Sequence, residues 1–179
     1  MPDLATKPLP QWFALCVKSR CEKAVAAAAR CKGFEEFLPL HKCVHHWSDR
    51  LKLVDEPLFP GYVFCRLRAE ERLPLLTIPG VMRFVGIGHV PVPLSEGEIW
   101  AIRDAVRSAA ELKPWPFVEN GNRVRLLSGP LTGVEGFLVR NDGRQRIVLG
   151  LSVLRQSVAV EIEHAWTRPA AQSATPAAF

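Results

Sequence analysis

The chain has 179 residues, 48% of them hydrophobic and 23% charged, with a formal charge of +5. That mixture suits one or two packed soluble domains and is too apolar for a disordered chain. The mild basic excess permits contact with nucleic acid without marking a dedicated polybasic binder, and no apolar run is long enough to span a bilayer.

The start, MPDLATKPLPQ, lacks the apolar core of a secretory signal, so a cytoplasmic location is expected. Five scattered cysteines (Cys16, Cys21, Cys31, Cys43, Cys65) read as free thiols in a reducing compartment. WFALCVKS (12–19) is a buried strand by its aromatic and branched residues. RCEKAVAAAARCKG (20–33) is a helix with Cys21, Ala24, Val25, Ala28 and Cys31 on one face and Gly33 ending it. FEEFLPL (34–40) returns to extended structure, and HKCVHHWSDRLKLVD (41–55) reads as strand edges around a polar, mobile loop. GYVFCRL (61–67) is a strand, AEERLPLLTI (69–78) a short helix, and PGVMRFVGIG (79–88) a turn and strand.

LSEGEIWAIRDAVRSA (94–109) is the clearest helix. Ser95 and Glu98 have capping-box spacing, and Ile99, Ile102, Ala105, Val106 and Ala109 form the apolar stripe. ELKPWPFVEN (111–120), with two prolines and no period, reads as a linker. Beyond it Val124 and Leu126 alternate with Arg123 and Arg125. NDG (141–143) marks a hairpin, and Ile147, Leu149, Leu151, Val153, Val158, Val160 and Ile162 keep a period of two. Short strands in so few residues satisfy their edges by curling into a small barrel. The tail, 169–179, is poor in large apolar groups and is expected to be disordered.

Chemistry is sparse. His41, Cys43 and His45 would share one side of a strand and suit zinc, but no second ligand pair stands at a finger spacing. They read as incidental residues of a polar loop, and no metal or other cofactor is expected. No phosphate-binding loop, dinucleotide fingerprint or nucleophile elbow occurs, so the chain is not expected to be an enzyme. Basic residues gather at Lys18, Arg20, Lys23 and Arg30 and again at Arg66, Arg68 and Arg72. On one shared face they could touch phosphates without reading sequence.

Two motifs carry a resemblance. EPLFPGYVF (56–64), followed by IPGVMRFVG (78–86), resembles the signature of the NusG amino-terminal domain. GNRVRLLSGPLTGVEGFLVR (121–140) resembles the KOW motif that opens the SH3-like barrel of NusG proteins. The opening stretch, 12–40, fits the same family. The resemblance implies an α+β chain: an antiparallel sheet flanked by helices over 11–110, a linker over 111–120, and an all-β KOW barrel over 121–168.

It also implies a transcription elongation or antitermination factor that grips the β′ clamp helices of RNA polymerase in an apolar pocket. By motif that pocket would include Cys16, Phe59, Pro60, Tyr62, Phe64 and Phe84. Each of Phe59, Tyr62 and Phe64 is as readily core as pocket; as a group they are assigned to the pocket, and Phe59→Ala is expected to weaken docking with the fold intact. Lys18, Arg20, Lys23, Arg68 and Arg72 would brush upstream or non-template DNA weakly. Leu154 and Arg155 stand where the family's barrel receives ribosomal protein S10 or Rho, although Leu154 replaces the usual aromatic residue. A monomer without membrane contact is expected.

The EPLFP form also resembles specialised paralogues of the RfaH and UpxY type, but EERLP (70–74) stands where RfaH carries its polar DNA-reading stretch. Sustained β alternation argues for a barrel that does not switch fold. The alternative function is a ribosome- or RNA-binding KOW protein using Arg123, Arg125, Arg140, Arg144 and Arg146.

Overall fold

The computed structural model describes residues 9–47, 50–108, 111–118, 121–141, 143–162 and 167–169. Ala109, the middle of the NDG turn and the tail beyond 169 lie outside the described residues. The first sheet is built on β1 (Gln11–Val17), which pairs antiparallel with β5 (Tyr62–Leu67) and β6 (Val81–Phe84). β2 (Glu35–Phe37) borders β5, giving the order β2-β5-β1-β6.

Successive side chains on a strand point to opposite faces, and here both faces are covered. Phe13, Leu15, Val17, Val63 and Cys65 pack with Val25, Ala26 and Ala29 of α1 (Glu22–Cys31) and Leu75 of α2 (Leu73–Leu76). Trp12, Ala14 and Phe64 pack with Ile99, Ile102 and Ala105 of α3 (Glu96–Arg107) on the other face.

Two helix details differ from the sequence reading. α1 buries Glu22, Val25, Ala26 and Ala29, whereas Ala24 and Cys31 are exposed. The helix is turned so that Glu22 accepts a hydrogen bond from the Gly61 backbone N–H at 2.9 Å. Ser95 does stand at the N-cap of α3, but its side chain makes no capping bond. Glu98 instead reaches across to the barrel, where its Oε1 accepts from the Ser152 N–H at 3.3 Å.

The stretch expected to be a mobile loop is a regular hairpin. β3 (Leu40–Trp47) and β4 (Arg50–Pro57) pair in register from Leu40↔Pro57 to Trp47↔Arg50 and form a two-stranded sheet of their own. Val44 on β3 and Val54 on β4 favour that extended geometry despite the polar residues around them. β7 (Gly86–Ile87) and β8 (Val90–Pro91) make a second, shorter hairpin.

The carboxy-terminal half is all β. β9 (Leu112–Trp115), β10 (Asn122–Leu126), β11 (Glu135–Asn141), β12 (Arg144–Leu151), β13 (Gln156–Ile162) and β14 (Thr167–Pro169) form one antiparallel sheet. Its order is β14-β10-β11-β12-β13-β9. The alternating residues Val124, Leu126, Ile147, Leu149, Leu151, Val158, Val160 and Ile162 are all buried, whereas Val153 sits half-buried in the turn after β12. The stretch expected to be a linker, 111–120, contains β9, which pairs along β13. Pro114 is tolerated there because β9 is an edge strand and loses no ladder bond on its open side. Among the described residues no helix is long and apolar enough to cross a membrane.

Candidate functional site

The corner at Leu58–Tyr62 is tied down from several directions. The Leu58 N–H donates to the Pro39 carbonyl at 2.9 Å, the Val17 N–H to that of Gly61 at 2.9 Å, and the Tyr62 N–H to that of Phe59 at 3.2 Å. Gly61 adopts φ +82°, a left-handed conformation that costs other residues dearly. Together with the Glu22 bond, these contacts hold Pro60 exposed and Tyr62 half-exposed at one end of the central strands β1 and β5.

The six residues assigned to one pocket do not lie together. Phe59 and Phe64 are 1% and 0% exposed, with ring centroids 5.7 Å apart edge to face, and Phe64 also meets Phe37 at 6.2 Å. They are core under the α3 face and offer no surface to a partner. Phe84 opposes Leu15 and packs edge-on against Phe13 at 6.1 Å, which puts it on the α1 face. Strand alternation is the reason, because Cys16 and Tyr62 are one step out of phase with Leu15 and Phe84. Cys16, paired directly opposite Tyr62, is half-buried, so the accessible group is Cys16, Pro60 and Tyr62.

Phe37 and Val85, not singled out by sequence, are half-buried against the same core, as is Val106 of the α3 stripe. Arg103 lies 4.9 Å over the Trp12 ring and 5.1 Å over that of Phe37, and its guanidinium pairs with Glu35 at 3.1 Å. No spacing rule reveals such a contact, since it joins α3 to two strands.

The basic residues divide into two groups. Lys18, Arg20 and Lys23 are exposed beside the Gly61 turn. Arg68 follows Leu67, which pairs with Gln11 at the other end of β1, about 20 Å away at ~3.3 Å per residue. Arg68 is also paired with Glu71 at 3.2 Å, and Arg72 ends the adjoining 3-10 helix (Ala69–Arg72). The Arg30 and Arg66 side chains are likewise engaged, with Glu36 and with Glu35 and Glu96. A single phosphate-binding face spanning all of them is not formed.

In the barrel, Leu154 and Arg155 sit in the β12–β13 connection. Leu154 is half-buried, and the Arg155 guanidinium lies 5.5 Å over the Phe117 ring. Between α3 and the barrel runs a cleft of about 610 Å³, lined among others by Trp100, Ala101, Phe117, Leu149 and Arg155. Several arginines of the alternative RNA reading are engaged in ion pairs: Arg123 with Glu135 at 3.5 Å, and Arg144 and Arg146 with the single carboxylate of Glu161 at 3.0 and 3.1 Å. Hydrogen bonds from Arg144 and Arg146 hold the Glu161 carboxyl below its usual range.

On the β3–β4 hairpin, His41 and Cys43 come together with Glu56, which no ligand spacing in the sequence links to them. Burial first, and then Glu56, push the Cys43 thiol up, while the hydrogen bond with His45 leads the lowering of the Glu56 carboxyl.

Comparison with known proteins agrees with this architecture. The family described as transcription termination factor nusG matches residues 10–103. The transcription termination/antitermination protein NusG of Helicobacter pylori is 31% identical over 65% of this chain and 68% of its own. Its counterpart in Campylobacter jejuni is 29% identical over 85% of this chain and 93% of its own. The solved structure of Thermotoga maritima NusG covers 89% of this chain and 97% of that one, with a TM-score of 0.55. At 23% identity it supports the fold alone. With the family match spanning more than half of its residues, and with a flanked antiparallel sheet followed by an all-β unit, this chain belongs to the NusG family of transcription factors.

Proposed function

We propose that this chain acts in transcription elongation and antitermination by docking on the β′ clamp helices of RNA polymerase. The observation that carries the reading is the Cys16–Pro60–Tyr62 corner, an apolar edge held rigid by backbone bonds and by the buried Glu22. Paired helices present an apolar ridge, and a preorganised aromatic-bearing edge suits it because little side-chain freedom is lost on contact. Lys18, Arg20 and Lys23 flank that edge and supply weak, sequence-independent attraction for upstream DNA. The β12–β13 turn with Leu154 and Arg155 recruits a further partner, ribosomal protein S10 or Rho, and the chain works as a cytoplasmic monomer.

The experiment is binding of the full chain to core RNA polymerase, comparing wild type with Tyr62→Ala. Loss of an aromatic anchor costs about 2 kcal/mol, roughly a thirtyfold drop in affinity. Wild-type affinity in a folded Tyr62→Ala variant would remove the docking assignment.

A further inference from the structure

The hairpin of β3 and β4 gathers ligand atoms that the docking reading does not use. His41, Cys43 and His45 occupy alternate positions of β3 and project from one side, and Glu56 of β4 lies directly opposite His41 in the register. One donor atom from each of His41, Cys43 and Glu56 lies within 4.8 Å of the other two. Cys43 Sγ is 3.3 Å from His41 Nδ1 and 3.6 Å from Nε2, and His45 Nε2 is 2.7 Å from Glu56 Oε1. Lys52, opposite His45, is exposed.

We propose that this side of the hairpin binds a divalent d-block ion, zinc foremost, through Cys43 Sγ, an imidazole nitrogen of His41 and a carboxylate oxygen of Glu56. His45 closes the fourth position by exchanging its bond to Glu56 for one to the ion. A tetrahedral ion with bonds of ~2.3 Å to sulfur and ~2.0 Å to nitrogen holds those two donors about 3.5 Å apart. The Cys43–His41 separation already meets that requirement. A thiolate with two imidazoles selects zinc and its neighbours over magnesium or calcium, which take oxygen ligands. Binding releases the Cys43 thiol proton to solvent.

The site would matter mechanically. A two-stranded hairpin is marginal on its own, and this one carries exposed Val44, Leu51 and Leu53 on the opposite side. His41 and Glu56 stand at its base, next to Leu40 and Pro57, so an ion there joins both strands where they leave the domain. Metal occupancy thereby sets how firmly the hairpin is held. The proposal is independent of polymerase docking.

The test uses the full chain stripped with chelator and titrated with Co²⁺, then with Zn²⁺ as competitor. The expected result is one equivalent of tetrahedral cobalt with a thiolate charge-transfer band that zinc abolishes. Cys43→Ser should remove the band, and Glu56→Gln should weaken affinity beyond the ~10–100-fold that loss of an outer-shell partner costs. Cys31→Ser, which alters an exposed thiol on α1, should change nothing. Zinc should also shield Cys43, and not Cys31, from alkylation, a readout that does not depend on the variants. Absence of the band, its survival in Cys43→Ser, or unaltered Cys43 alkylation in zinc overturns the site.

Discussion

Phe59→Ala separates a core role from a docking role for the FPGYVF motif. The ring is 1% exposed and wedged edge-on against Phe64 at 5.7 Å, so truncation leaves a cavity between β5 and α3. Returning about 150 Å² of aromatic surface to water at ~25 cal/mol/Å² costs about 4 kcal/mol. Phe→Ala substitutions in cores fall in the same range, ~3–5 kcal/mol. With a urea m-value near ~2 kcal/mol/M, the unfolding midpoint should fall by about 2 M. Trp12, in the same cluster, provides a fluorescence probe. Tyr62→Ala, at a half-exposed position, should lose far less stability while reducing polymerase binding. The reasoning fails if Phe59→Ala unfolds at the wild-type urea concentration yet no longer binds polymerase, because the ring would then belong to the surface.

Three further outcomes follow from single contacts. Burial pushes the Cys65 thiol up to about 12, above its ordinary 9.0, so its contribution is complete below pH 9 and lost as pH rises through the folded value. By linkage that is about 1.4 kcal/mol lost at pH 10, which urea melts across pH 8–11 should reveal as a steeper loss in the wild type than in Cys65→Ala. The Glu161 carboxyl, lowered by Arg144 and Arg146, stabilises the barrel above its unfolded pKa and ceases to do so as pH falls through its folded one. Glu161→Gln should therefore flatten the acid side of the stability curve below about pH 5. In Gly136→Ala the added methyl would lie 2.7 Å from both Ile147 Cγ1 and the Val148 carbonyl oxygen, pressing β11 off β12. Overpacking of this kind costs ~1–3 kcal/mol, and a barrel melting at the wild-type temperature would contradict it.

Much of the architecture could be read from local pattern. WFALCVKS announces a strand buried on both faces. Ile99, Ile102 and Ala105 identify the inward side of α3, and the period of two from Ile147 to Ile162 marks the barrel. These signals survive because each depends on neighbours a few residues away. The hairpin at 40–57 was less legible, since histidine, lysine and tryptophan disguise a ladder whose partner strand comes later in the chain. β9 was hidden by its prolines, which only an edge position excuses.

The docking corner shows where local reading stops. Sequence alone determined that an aromatic proline-glycine turn leads into a strand of a NusG-type domain, because residue type and spacing encode turn and strand propensity. Which rings are covered was decided by α3 closing over Phe59 and Phe64, by the one-residue phase that sends Phe84 to the opposite face, and by Glu22 arriving from α1 to hold Gly61. Burial and cross-strand contact are properties of segments far apart in the chain, and only the folded arrangement brings them within bonding distance.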